Sequence, residues 1–168
     1  MNIHIKTVLT LAVLAMLVFI GVAWGWSAMT TPLPHQAAPK DCYPTSLQPG
    51  DRVSPPEVMV SVYNASERSG LAARTLSGFE DMGFGVGHAG NAPKGTSIRY
   101  AQIWTRDRHN PAVRLVASRL GPRAHIMDQR PKGPGVTVLV GPKFTKLVQG
   151  KQSAKVSDPT TICSPPTA

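Results

Sequence analysis

Val58-Met-Val-Ser-Val-Tyr-Asn-Ala-Ser-Glu-Arg-Ser-Gly-Leu-Ala-Ala-Arg-Thr-Leu-Ser-Gly-Phe-Glu-Asp-Met-Gly-Phe84 decides how the rest of this chain is read. Val58, Val60 and Val62 alternate with Met59, Ser61 and Tyr63, the period of a half-buried strand. Asn64-Ala65-Ser66 breaks the alternation with turn-forming side chains. The spacing then predicts a helix capped by Ser66 or Ser69. Its apolar stripe is Leu71, Thr75, Leu76, Phe79 and Met82, and Gly83 supplies a left-handed stop. The unit is strand, turn, helix, with a core face on each element.

Downstream, Gly85-x-Gly87-x-x-Gly90 has the spelling of a dinucleotide-binding loop. Such a loop leaves a strand and opens a helix whose amides hold a pyrophosphate, whereas this one follows a helix and runs into Asn91-Ala92-Pro93. It reads instead as a glycine-rich strand and turn. Ile98 to Arg106 alternates again, with Tyr100, Gln102 and Trp104 on one face and Ala101, Ile103 and Thr105 on the other. Asn110-Pro111 offers an N-cap and an N1 proline; Val113, Val116, Ala117 and Leu120 share one helical face; Gly121-Pro122 ends the helix. Val136–Val140 forms a last strand, with a short edge strand at Ala124–Met127 before it. The expected fold is α+β: a small ferredoxin-like βαββαβ sandwich, two helices on one face of a four- to five-stranded sheet. Val60, Val62, Leu76, Phe79, Ile103, Val116, Leu120 and Val138 should be its core. Tyr63, Tyr100 and Trp104 would share the other face, a candidate aromatic contact surface unless the chain after Phe144 covers it.

The run Val60-x-Val62-x-Asn64-Ala65-Ser66-x-x-Ser69-Gly70-Leu71-Ala72-Ala73, closed by Gly83-Phe84, resembles the opening of the LytR C-terminal domain family. Ala65 departs from the glycine usual at that position. The resemblance covers residues 57–148. With the apolar segment described next and a cysteine on either side of the domain, it extends to single-span envelope-integrity proteins of mycobacteria and other actinobacteria. It implies an extracytoplasmic, non-catalytic domain concerned with the cell envelope, with no catalytic residues to carry over.

No charged residue interrupts Val8 to Trp26, enough helix to cross ~30 Å of hydrocarbon at ~1.5 Å per residue. Residues 8–26 therefore read as a transmembrane helix. Lys6 and the amino terminus precede it, which puts residues 1–7 in the cytoplasm and the bulk outside the cell membrane. The alternative is a signal peptide cleaved near Ala23-Trp24-Gly25, against which the length of the apolar run argues. Residues 27–56, crowded with proline, should be an extended linker and 149–168 a tail. With 16 prolines and 6% aromatic residues in 168 positions, there is material for one small domain. Cys42 and Cys163 bracket it. In an oxidising compartment they read as one disulfide closing a loop of about 120 residues; an intermolecular bridge or two free thiols are the alternatives.

Lys and Arg number 18 against nine Asp and Glu. Basic residues crowd the stretch from Arg99 to Lys132, and Arg99, Arg106, Arg108, Arg114 and Arg119 are the candidate contacts for an anionic ligand, the last two projecting from the polar side of the second helix. Neither metal-ligand spacing nor a cofactor motif stands out among the five histidines and nine acids, and no Gly-x-Ser-x-Gly elbow is present. Basic residues interleaved with aromatics in an RNA-module pattern are also missing, so nucleic acid is not the expected partner. The expected partners are a cell-wall polymer or anionic lipid, envelope proteins, or both. The leading expectation is a membrane-anchored binding module supporting envelope integrity; the alternative is an accessory subunit of a wall-assembly enzyme.

Overall fold

A computed structural model describes residues 3–30 and 42–166 in two separate units. The first is a single helix, α1 (Ile3–Thr30); within it Thr7–Trp26, 20 residues of mean hydropathy 2.5, is long and apolar enough to cross a membrane. The part of the expected linker at residues 31–41 lies outside the described residues.

The second unit, residues 40–168, runs in order β1 (Tyr43–Leu47), β2 (Arg52–Val53), a 3-10 turn (Pro55–Glu57), β3 (Met59–Asn64), α2 (Leu71–Asp81), β4 (Gly85–Asn91), β5 (Ala101–Thr105), α3 (Pro111–Leu120), β6 (Ala124–Asp128), β7 (Val136–Val140), β8 (Ala154–Lys155) and β9 (Thr160–Ser164). Its main sheet has five strands in the order β4-β3-β7-β5-β6. β3 lies parallel to both neighbours and β5 parallel to β6, while β5 and β7 are antiparallel. Buried residues of α2 and α3 share one core with Val60, Val62, Val138 and Ile103, so both helices cover the same face, as expected. All eight residues expected in the core are buried.

The strand order is not the ferredoxin-like one. There the last strand sits at an edge and each helical crossover skips a strand; here each crossover, β3-α2-β4 and β5-α3-β6, joins direct neighbours, and β7 fills the middle. The cause lies in β7 itself. Val136, Thr137, Val138, Leu139 and Val140 are all buried, and a strand buried on both faces belongs where it is paired on both sides. The glycine-rich and more exposed β4 takes an edge instead.

The turn after β3 is built by Asn64. Its side-chain oxygen accepts from the Ser66 amide at 2.9 Å and from the Ser66 hydroxyl at 2.7 Å, and its amide nitrogen donates to the Arg68 carbonyl at 2.8 Å. Ser66 is thus used within the turn and caps no helix. The N-cap of α2 is Gly70, at φ 71° and without a side-chain bond. Gly83, at φ 82°, is the left-handed stop the pattern required. The Asn110 side chain accepts from the Ala112 amide at 3.0 Å, which makes it the N-cap of α3.

Residues 42–56 and 149–166, expected as linker and tail, are largely folded against each other. β1 pairs antiparallel with β9 and β2 with β8, and Cys42 is disulfide-bonded to Cys163 with Cα atoms 5.4 Å apart. Leu47, Val53, Ala154, Val156 and Ile162 from these segments enter the main core. The described core lies entirely between Leu47 and Ile162, so residues 40–168 carry all of it.

Candidate anion-binding site

The chain leaves β7 at Gly141 and returns over the helices instead of the opposite sheet face. Phe144 is buried in the core, Leu147 packs against Gly78 of α2, and the amides of Val148 and Lys151 donate to the Arg119 carbonyl (2.8 Å) and the Ser118 hydroxyl (3.0 Å) of α3. The near end is held as well. The Lys143 amide donates to the Arg99 carbonyl at 3.0 Å, and Arg68 Nη1 donates to the carbonyls of Phe144 (2.8 Å) and Pro142 (3.2 Å). Residues 142–151 therefore form a fixed ridge with a cavity on each flank.

On the α2 flank a cavity of about 320 Å³ is bordered by Arg68, Arg74 and Lys146, with Asp81 its one acid. On the α3 flank a cavity of about 280 Å³ is bordered by Arg123, Lys143 and Lys146, with no acid. Phe144, Thr145 and Lys146 border both, so the two meet along the ridge. All five cations are exposed, and among the described residues none forms an ion pair. Arg123 is steadied by the Tyr100 ring, whose centre lies 4.9 Å from its guanidinium carbon. Concave surfaces lined by one sign of charge concentrate counter-charged solutes.

The residues singled out from the sequence are not brought together. Arg106 pairs with Asp128 at 3.1 Å; Arg108 and Arg114 are exposed but border neither cavity; Arg99 contributes its carbonyl to the ridge. Arg119, expected to project outward, is 2% exposed. Its Nη2 donates to the Lys151 carbonyl at 2.9 Å and its guanidinium lies 6.0 Å from the Phe84 ring centre. The expected aromatic face also divides. Tyr63 is buried with Ile98 and Leu139, and the half-buried Trp104 packs on that cluster, while Tyr100 borders the α3-flank cavity. Tyr63 is covered by the loop before β7, with Lys132 Nζ 5.4 Å from its ring centre, and burial pushes its phenol above the ordinary tyrosine range.

Arg68, Arg74, Lys143 and Lys146 were not anticipated, whereas Arg123 belongs to the basic stretch from Arg99 to Lys132 that the sequence marked out. The five lie in four separate segments, and only the return of residues 142–151 over α2 and α3 makes neighbours of them. The clustered basic residues just after a strand, Lys143 and Lys146, were the available signal.

A family model described as LytR cell envelope-related transcriptional attenuator matches residues 57–144. The fold is also similar to the crystal structure of the soluble domain of a conserved hypothetical secreted protein from Mycobacterium marinum, at 25% sequence identity and a TM-score of 0.49, over 67% of this chain and 79% of that one. No curated protein matches the sequence.

Proposed function

The protein belongs to the LytR C-terminal domain family, whose model spans residues 57–144, and from that premise we propose that it is a membrane-anchored, extracytoplasmic, non-catalytic module that supports the cell envelope by holding an anionic wall component. The observation carrying the binding part is the pair of basic cavities along the 142–151 ridge, where five exposed cations face a single acid. Two further features support the location: α1 has the length and apolarity of a membrane span, and an intramolecular disulfide fits an oxidising compartment. The test is retention of residues 40–168 on isolated cell-wall material and on anionic vesicles across a salt series. Retention on wall material above physiological salt, where exposed charges are screened beyond ~8 Å, supports the reading. Loss from both surfaces as salt rises overturns it.

A second reading, an accessory subunit of a wall-assembly enzyme, is favoured by β4. This edge strand carries no Lys, Arg, Asp, Glu or Pro, and so lacks the charge and proline guards against pairing with another chain. Stoichiometric co-purification with such an enzyme, without affinity for wall material, would select it.

A further inference from the structure

We propose that the two cavities form one bipartite site for a linear polyanion, a wall glycan bearing acidic groups on successive units, that crosses the ridge with Arg74 gripping it on one flank and Arg123 on the other. This rests on the wall-binding reading above and specifies its ligand. The cavities share Phe144, Thr145 and Lys146, so a chain leaving one enters the other past the Lys146 ammonium. A single small anion would satisfy only one cluster. The ridge is tied at both ends, through Arg68 and Arg99 and through Ser118 and Arg119, which fixes the separation of the two clusters before any ligand arrives. Preorganisation of that kind lets the second contact form at high effective concentration.

The surface is a poor match for a lipid bilayer. Interfacial binding combines cations with exposed apolar side chains that enter the headgroup region. The large exposed hydrophobics of this unit are Tyr43, Val86, Met127 and Val148, and of these only Val148 borders either cavity. Tyr100, half-buried beneath Arg123, holds that guanidinium at the edge of the α3-flank cavity.

The experiment titrates residues 40–168 with oligogalacturonides of increasing length, from the monosaccharide upward, alongside inorganic phosphate and phosphatidylglycerol vesicles. A polymer site gives a step in affinity, roughly 100-fold, at the length that first spans the ridge, with phosphate and monosaccharide equally weak. Arg74→Gln and Arg123→Gln each abolish the step, while Arg130→Gln, which borders neither cavity, leaves it; thermal melts confirm that all three variants are folded. A smooth rise with length, lowered equally by all three substitutions, overturns the proposal and leaves only a diffuse basic surface. Tighter binding to vesicles than to any oligomer also overturns it, in favour of a headgroup site. If no step appears but salt-resistant retention on wall material persists, the polyanion assignment falls and wall binding stands; if both are lost, both fall.

Discussion

Arg119 places a cation in the interior where, among the described residues, no carboxylate pairs with it and its Nε has no hydrogen-bond partner. What holds it there is one carbonyl, that of Lys151, and the face of Phe84. Truncation removes both contacts and leaves a void, so Arg119→Ala should lower unfolding free energy by about 2–4 kcal/mol in a urea titration, whereas Arg108→Ala should change it by less than ~0.5. Nothing in the sequence marks Arg119 as the buried arginine. A helical wheel puts Arg119 outside the stripe of Val113, Val116 and Leu120, and only the later segment that folds over it turns that outer side into an inner one. Tyr63 gives the residue-scale pH dependence. Burial raises its folded pKa above the unfolded value of about 10, so its contribution is complete below that pH and is lost as pH rises through the folded value. Tyr63→Phe should therefore flatten the alkaline limb of the stability profile.

At the scale of elements, the pairing of β3 with β4 depends on a missing side chain. Their register shifts between Val60 and Val62, and a Cβ on Gly87 would meet the Ser61 hydroxyl and lie 2.8 Å from the Val60 carbonyl oxygen. Ser61 uses the space, accepting from the His88 amide at 3.0 Å and donating to the Pro134 carbonyl at 2.7 Å. Gly87→Ala should cost roughly 1–3 kcal/mol, read from the urea midpoint at unchanged m-value, because backbone must move to admit the methyl. The elements from β3 through α3, the short edge strand β6 and β7 were legible from local period, caps or turn residues. β1 and β9 were not. Tyr-Pro-Thr-Ser-Leu and Thr-Thr-Ile-Cys-Ser are polar, and what makes them strands is each other, across a separation that local patterning does not span. The central place of β7 was hidden for a related reason: its apolar run, broken only by Thr137, signals burial but names no neighbour.

For the molecule as a whole, the largest single constraint is the Cys42–Cys163 bond across a sequence separation of 121. Opening a loop of that size costs about 5 kcal/mol in the chain-entropy model, a large share of the ~5–15 kcal/mol available to a small domain. Reduction should lower the melting temperature of residues 40–168 by on the order of 15 °C, measured by calorimetry with and without a thiol reductant. The basic site belongs to this scale too, since it exists only after residues 142–151 have closed over both helices. Fastening Cys42 beside β9 also has a mechanical meaning. A pull arriving along the residues before Cys42 reaches the covalent bridge before it can peel β1 from β9, and so passes at once to both ends of the folded unit. The disulfide is the rivet that keeps the first strand from unzipping under tension.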